Sequence, residues 1–188
     1  MPIVVDAEVR RLDQQEFGAV AYDVMECIFQ VHREIGRFFD EAVYRDAIAA
    51  RVAEARKEVR ITVQFDGFFK EYLVDLLVQG GAVFELKTVE SLSSRHQAQL
   101  INYLLLMGVN HGKLVNLRTE RVQHRFVNTS LSFVDRVEFT VDASQWSPVE
   151  ACHQALLSWL EGAVREWGTG LERRLYEQAV IPFGSSGF

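Results

Sequence analysis

The residues most able to do chemistry lie in two apolar segments that a Gly80-Gly81 turn joins. Asp75 falls within the first segment, and Glu85 and Lys87 stand two residues apart in the second. Burying two carboxylates and an ammonium in strands is costly unless they pair with one another or bind a metal ion. These charged residues therefore need an explanation beyond packing.

The two segments are predicted to be neighbouring strands of a hairpin. Residues two apart in a strand point to the same side, so Glu85 and Lys87 share a face, which Asp75 also faces if the register allows. Converging carboxylates form a hard-oxygen site suited to Mg²⁺ or Mn²⁺. Such an ion binds a phosphodiester oxygen and lowers the pKa of a bound water. A lysine beside it can orient or deprotonate that water, or neutralise charge on the phosphate. The pattern is typical of metal-dependent phosphodiester hydrolysis.

The same residues also have a structural interpretation. Asp75 could be a buried acid paired with Lys87, although Glu85 would then need a partner of its own. A Glu-x-Lys spacing also occurs on solvated sheet faces, so the spacing alone is not specific. The apolar run around Glu85 and Lys87 adds weight, because it predicts a central strand.

Two helices are predicted before these strands. The first opens at an Asp13–Glu16 capping box and ends at Gly36. Its apolar face follows helical spacing: Phe17, Val20, Val24, Ile28, Val31 and Ile35. The second runs from Glu41 to about Arg56, with these residues inward: Val43, Ala47, Ile48 and Val52.

The pattern then changes to period two, which is typical of half-buried strands. Three antiparallel strands, joined by Asp66-Gly67 and Gly80-Gly81 turns, are predicted over residues 59–65, 68–78 and 82–87. A helix from Ser93 or Ser94 to about Met107 follows. The next strand, 113–117, returns after this crossover and is predicted to be parallel to its neighbour.

Elements after this strand are predicted from weaker patterns. Strand candidates cover 122–127 and 137–141, and a helix runs from Pro148 to about Trp167, followed by a short helix to about Val180. The apolar stripe of the longer helix comprises Cys152, Leu156, Trp159, Leu160 and Val164.

The layout predicts a mixed α/β (α+β) fold, with a central mixed sheet flanked by helices and a C-terminal helical extension. Residues 1–130 would form the core with its N-terminal helix. Residues 131–188, a strand plus helices, would pack on that core and not form an independent domain.

Composition narrows the class of protein. With 188 residues, 48% hydrophobic and 24% charged, the chain is typical of a globular protein with one core. No apolar run approaches the roughly 20 residues of a membrane span, and the N-terminus lacks a signal-peptide pattern. No membrane partner is therefore expected. Cys27 and Cys152 form no motif, so a cytoplasmic location is the default.

Charge gives a mixed indication about nucleic acid. The net charge is −6, whereas a protein that grips duplex DNA over a large area usually has a basic face. Segment 111–136 is nevertheless locally basic, with Lys113, Arg118, Arg121, Arg125 and Arg136. This segment is either a basic patch or a solvated strand face. The Trp- and Leu-rich C-terminal helix either forms a homodimer surface or covers the sheet.

Residues from about 31 to 127 resemble the bacterial GxxExxY proteins, a branch of the PD-(D/E)XK nuclease superfamily. The matching segments stand in the family's order: 41–44 (Glu-Ala-Val-Tyr), 74–78 (Val-Asp-Leu-Leu-Val), 84–90 (Phe-Glu-Leu-Lys-Thr-Val-Glu), 96–104 (His-Gln-Ala-Gln-Leu-Ile-Asn-Tyr-Leu) and 112–116 (Gly-Lys-Leu-Val-Asn).

The resemblance implies a restriction-endonuclease-like core that uses Mg²⁺ or Mn²⁺. It implies that Asp75 and Glu85 are metal ligands and that the Leu86 carbonyl is a further one. Lys87 would be the catalytic lysine, and Glu41, on an N-terminal helix, would add a carboxylate to the catalytic and metal site.

Gln99 and Tyr103 match the Gln-x3-Tyr motif of the RecB-like exonuclease branch. They share a helix face, and both can hydrogen-bond a phosphate or a catalytic side chain. Without the resemblance, Gln99 would be a surface residue, Tyr103 a core aromatic and Glu41 an exposed first-turn acid. The family's glycine three residues before the glutamate is Phe38 here, and Arg37 replaces a frequent proline, so the turn into the Glu41 helix must differ.

These residues predict a metal-dependent nuclease that hydrolyses phosphodiester bonds. DNA is favoured over RNA, and the expected action is exonuclease-like, on single strands or ends. The alternative is a catalytically weak or inactive nuclease-fold module that binds nucleic acid or a protein partner. The net charge of −6 and the glycine replaced by Phe38 favour that alternative.

Overall fold

A six-stranded sheet forms the centre of the protein. The computed structural model describes residues 2–148 and 151–184, with the backbone alone for 151–154 and 182–184. The strands lie side by side in chain order: β1 (Ile3–Val5), β2 (Ala55–Phe65), β3 (Phe68–Val78), β4 (Ala82–Lys87), β5 (His111–Asn116) and β6 (Gln123–Asn128). Neighbouring strands are antiparallel except β4 and β5, which are parallel. The predicted mixed sheet is therefore confirmed.

Helices cover both faces of this sheet: α1 (Gln14–Ile35), α2 (Glu41–Ala49), α3 (Ser94–Met107), α4 (Phe133–Val137), α5 (Ala151–Trp167) and α6 (Arg173–Gly184). The capping box of α1 forms as predicted, because Asp13 accepts from the N–H of Glu16 at 2.8 Å and the Glu16 carboxylate accepts from the N–H of Asp13 at 2.9 Å. Gly36 ends α1 with a φ of 80°. Among the described residues, no helix is long and apolar enough to cross a membrane.

Two apolar cores lie on opposite faces of the sheet. One contains α1 and α2 side chains packed on the sheet, among them Ile28, Tyr44 and Phe84. The other contains α3 and the C-terminal helices, with Leu104 and Trp167. Burial on both faces accounts for the nearly continuous apolar runs of β3 and β4.

The predicted end of α2 was wrong. The helix ends at Ala49, and Ala55 already pairs with Val78 in β2. The Ala- and Glu-rich sequence between them favours a helix, but pairing with β3 stabilises this segment more than a solvated last turn would. Val43, predicted to face inward, is 42% exposed, and Tyr44 occupies the buried side instead.

Two further differences lie at the edges of the sheet. The predicted strand at 137–141 does not form: Val137 is the last residue of α4, which the Ser132 hydroxyl caps, and residues 138–141 belong to no helix or strand. Strand β1 was not predicted. It has three residues, and it pairs Ile3 with Val63 at the outer edge of β2.

Arg136 joins the segment after residue 130 to the rest of the fold. It is 3% exposed, and its guanidinium donates to the carbonyl oxygens of Leu105 at 2.9 Å, Trp167 at 2.7 Å and Thr169 at 2.7 Å. The Trp167 indole N–H in turn donates to the Gln64 carbonyl at 3.1 Å. One buried cation therefore satisfies carbonyl groups at the ends of both α3 and α5.

We expect Arg136→Met to lower the free energy of unfolding by roughly 3 kcal/mol, because buried carbonyl groups would lose a charged donor. Urea denaturation measures this change. Arg165→Met removes an arginine whose side chain is 56% exposed on α5 and should cost under about 1 kcal/mol. Wild-type stability in Arg136→Met would show that Arg136 does not anchor this segment.

Candidate active site

Strands β3 and β4 separate beside Asp75. The last pair of their ladder is Leu76 with Phe84, so Asp75 and Glu85 lie where the strands diverge. Glu58 of β2, opposite Asp75, takes no part in the β2–β3 ladder and has a φ of 52°. A positive φ is strained in a non-glycine residue, and such strain collects at functional sites. Asp75 is therefore held outside both ladders, at a fork in the sheet.

Asp75 is held by a backbone amide and by an arginine. It is 8% exposed, and its Oδ2 accepts from the Leu86 N–H at 2.8 Å. Its Oδ1 lies 3.4 Å from Nη1 of Arg45, which also pairs with Glu58 at 2.9 Å. The structural alternative, a pair between Asp75 and Lys87, does not form.

Lys87 joins the other two carboxylates. Its Nζ lies 2.6 Å from Oε1 of Glu85, 2.9 Å from the Leu86 carbonyl oxygen and 3.8 Å from Oε1 of Glu41. The side chain of Glu85 is 2% exposed. The structure therefore brings Glu41, Glu85, Lys87 and the Leu86 carbonyl together, with Asp75 beside them on β3.

The electrostatics of the site follow from burial and crowded negative charge. Burial, with the charge of Asp75 next in importance, raises the pKa of Glu85 to about 8. Burial and Asp75 also raise the pKa of Glu41. Burial alone would lower the pKa of Lys87, but the carboxylates, Glu85 foremost, outweigh it and raise that pKa. The site is therefore short of positive charge.

A divalent cation fits the donor set. Oε2 of Glu85 is buried and has no hydrogen-bond partner, which leaves an acceptor to be satisfied. The surrounding donors are carboxylate and carbonyl oxygens, the ligands that Mg²⁺ and Mn²⁺ prefer. Within the described part of the chain, no group of three His, Cys, Asp or Glu side chains is arranged to hold a metal. Arg45 and Lys87 contact Asp75 and Glu85 instead.

Gln99 and Tyr103 form a pair on α3. The Gln99 amide donates to the Tyr103 hydroxyl oxygen at 2.8 Å. Burial, followed by the charge of Glu85, raises the pKa of Tyr103 to about 12. Neither side chain hydrogen-bonds to Glu41, Asp75 or Glu85 in the region that the structure describes. The pair therefore lies within electrostatic range of the carboxylates but does not contact them.

The hydroxyl of Tyr44 holds the turn before Glu41. The Tyr44 hydroxyl donates to the Gly36 carbonyl oxygen at 2.7 Å and accepts from the Phe39 N–H at 3.4 Å. Asp40 precedes the helix without a side-chain cap. Tyr44 therefore links the end of α1 to the start of α2.

Two features of the site were not predicted from the sequence. Arg45, the partner of Asp75, stands four residues after Glu41, and this helical spacing was the available signal. The second is an exposed aromatic group: Phe38 is 72% exposed, with the guanidinium carbons of Arg37 and Arg118 at 5.1 Å and 5.5 Å from its ring centroid. Arg118 follows Leu117, whose N–H donates to the Lys87 carbonyl oxygen at 2.8 Å, so this group borders the site.

The mixed sheet and its flanking helices are consistent with a restriction-endonuclease-like fold. A family model of the PD-(D/E)XK nuclease superfamily matches residues 18–128, which is more than half of the 188 residues. The chain belongs to this superfamily. The match contains every predicted site residue and ends at the last residue of β6. No curated protein and no solved structure matched the chain significantly.

The raised pKa of Glu85 predicts how pH affects the stability of the metal-free protein. The folded protein keeps this proton up to about pH 8, whereas a solvated glutamic acid loses it near pH 4.5. The protonated Glu85 carboxyl therefore contributes fully to the free energy of unfolding below pH 4.5, and this contribution is lost as the pH rises to about 8. We expect the free energy of unfolding in EDTA to fall between about pH 4.5 and 8, and less steeply in Glu85→Gln.

Urea denaturation at several pH values measures this slope. Glu161→Gln changes an acid on α5 whose side chain is 37% exposed, and it should keep the wild-type slope. A Glu85→Gln slope equal to that of the wild type would contradict the assignment of the raised pKa.

Proposed function

We propose that this protein is a Mg²⁺- or Mn²⁺-dependent nuclease that hydrolyses phosphodiester bonds of DNA. The observation that carries the proposal is the convergence of Glu41, Asp75, Glu85 and Lys87 at the fork of the sheet, in a member of the PD-(D/E)XK nuclease superfamily. Within the superfamily we propose the GxxExxY branch, on the order and spacing of the segments that resemble it.

Glu41, Asp75, Glu85 and the Leu86 carbonyl are the proposed metal ligands. A bound divalent ion would supply Lewis-acid activation of a water and would neutralise charge on the phosphate. The Leu86 N–H already orients Asp75 at 2.8 Å, and the orphaned Oε2 of Glu85 offers a free acceptor. The chain therefore positions two carboxylates from neighbouring strands without help from a substrate.

Lys87 is the proposed catalytic lysine, and its surroundings favour an electrostatic role. Glu85, Glu41 and Asp75 all raise its pKa, and the last two stay beside it when Glu85 holds a proton, so its ammonium is charged at neutral pH. A charged ammonium can orient the attacking water and stabilise charge that builds on the phosphate oxygens. It cannot accept the proton of that water while charged, which argues against Lys87 as the general base.

Gln99 and Tyr103 are proposed to contact the substrate phosphate. With its pKa raised to about 12, Tyr103 keeps its hydroxyl proton at neutral pH. That hydroxyl accepts from Gln99 and can still donate to a phosphate oxygen. The two residues would therefore orient the strand beside the carboxylates.

Single strands or strand ends are the proposed substrates, with exonuclease-like action. The ring of Phe38 is exposed beside the site, and unpaired bases stack on such rings. Arg37 and Arg118 flank that ring and can contact phosphates. A net charge of −6 argues against an extended grip on duplex DNA.

A second candidate function is a nuclease-fold module that binds nucleic acid without cutting it. The pairing of Arg45 with Asp75 and of Lys87 with Glu85 favours it, because both carboxylates then already have cations. Salt-dependent binding without hydrolysis would be its signature. A homodimer, a cytoplasmic location and the folding of residues 131–188 as part of the core stay predictions.

The experiment that tests the proposal is a cleavage assay with Mg²⁺ or Mn²⁺ on labelled single-stranded DNA, duplex DNA and RNA. We expect the wild type to cut single-stranded DNA. Lys87→Met and Asp75→Asn should lower the rate by on the order of 10² or more, because each removes a preorganised charge. Circular dichroism should show that both variants remain folded.

Lys57→Met is the matched control, since Lys57 pairs with Asp46 on the surface and its side chain is 49% exposed. It should cut at the wild-type rate. Cleavage at that rate by Lys87→Met would contradict the role of this lysine. A wild type that binds every strand and cuts none would favour the second candidate function.

A further inference from the structure

A cavity of about 650 Å³ lies beside the candidate active site and is lined partly by Gln99 and Tyr103. Its other side is formed by the segment that begins α6, including Arg173 and Arg174. Arg95, on the first turn of α3, is the third arginine of the lining, which also contains Glu172. The superfamily match ends at residue 128, so the C-terminal segment adds a wall that the matched core lacks.

Contacts of Glu172 hold this wall in place. Its carboxylate accepts from the Tyr72 hydroxyl at 2.7 Å and pairs with Lys70, and its N–H donates to Oδ1 of Asn102 at 2.9 Å. The ring of Tyr72 packs edge-on against Tyr103, with 6.1 Å between the centroids. The negative charge of Glu172 is therefore matched by Lys70, and the wall is tied to the tyrosine of the site.

Two of the arginines that line the cavity, Arg95 and Arg174, make no direct contact with an acid, although the charge of Arg174 acts on Glu172. Arg173 pairs with Glu177 at 2.5 Å. Neither Arg95 nor Arg174 forms a salt bridge or a side-chain hydrogen bond with any residue that the structure describes. Both stand in the first turn of a helix, where the helix dipole adds positive potential. The lining therefore carries three arginines against one acid, Glu172, which Lys70 also neutralises, so its net charge is positive.

We propose that this cavity binds a phosphate group of the nucleic-acid strand on which the active site acts. The choice of ligand rests on the proposed function. Guanidinium groups match the geometry of phosphate oxygens, and the amide and hydroxyl of Gln99 and Tyr103 add neutral hydrogen-bonding groups. The phosphate is either at the end of the strand or in an internal phosphodiester that flanks the scissile bond. The C-terminal segment would thereby set the position of the strand in the site.

The test is the binding of a fluorescent single-stranded DNA, followed by anisotropy in EDTA so that no cleavage is needed. We expect Arg95→Ala/Arg174→Ala to weaken binding roughly tenfold. The slope of log K against log salt should become shallower by about 0.7 for each phosphate that the variant no longer neutralises. Arg95→Lys/Arg174→Lys should recover part of the affinity, because it restores the charge.

Arg60→Ala/Arg165→Ala is the matched control. Like Arg95→Ala/Arg174→Ala, it removes two positive charges, here from β2 and α5, and each of these two side chains is 56% exposed. This variant should bind as the wild type does. Equal affinities in the two alanine double variants would overturn the proposal, and so would a wild type that does not bind the strand.

Three probes separate the two sources of phosphate: a strand with a terminal phosphate, the same strand with hydroxyl ends, and a circular strand. If Arg95→Ala/Arg174→Ala binds only the first probe more weakly than the wild type does, the cavity binds a terminal phosphate. If the double variant loses as much affinity for the circular strand as for the linear strands, the cavity binds a flanking phosphodiester.

The outcomes also separate this inference from the proposed function. If the wild type does not cut DNA with Mn²⁺ but Arg95→Ala/Arg174→Ala binds DNA more weakly than the wild type, the nuclease proposal is refuted and the cavity assignment is kept. A wild type that cuts, together with equal affinities in the two alanine double variants, would refute the cavity assignment alone.

Discussion

Three carboxylates, two of them buried, meet in one corner of this protein with too little positive charge to balance them. Glu85 is the most buried of the three, and the pKa raised to about 8 records the cost of ionising it beside Asp75. Arg45 and Lys87 offset part of this cost through contacts at 3.4 Å and 2.6 Å. Such a corner lowers stability, and it persists in proteins where function needs the charges.

The fold creates this corner by ending one strand pairing while continuing another. The β3–β4 ladder stops at Leu76 and Phe84, whereas β4 continues along β5 as far as Lys87. Glu85 and Lys87 therefore lie on a part of β4 that pairs with β5, whereas Asp75 lies on β3 beyond the end of the β3–β4 ladder. The turn held by Tyr44 brings Glu41 to the open side of the fork, within 3.8 Å of Lys87.

Local signals were sufficient to predict the strands that carry the site. Period-two patterns and the Asp66-Gly67 and Gly80-Gly81 turns placed β3 and β4 correctly, and the crossover through α3 predicted the parallel β5. The side-chain alternation of β4 was enough to put Glu85 and Lys87 on one face. Where pattern and topology agreed, the predicted strands were confirmed.

Contacts between distant parts of the chain could not be predicted in the same way. The end of α2 depends on pairing between Ala55 and Val78, which outweighs the helix propensity of the intervening residues. The pair between Arg45 and Asp75 spans 30 positions, and the bond between Tyr72 and Glu172 spans 100. No local pattern encodes such contacts, because they form only when the sheet and the helices have assembled.

The most direct test of the central claim is a calorimetric titration of the wild type with Mn²⁺. We expect binding that releases protons near pH 7, since Glu85 holds its proton up to about pH 8 in the metal-free protein. Binding should be lost in Asp75→Asn/Glu85→Gln and kept in Asp46→Asn/Glu161→Gln, which changes two surface acids. Absence of binding by the wild type, or unchanged binding by the Asp75→Asn/Glu85→Gln protein, would contradict the account.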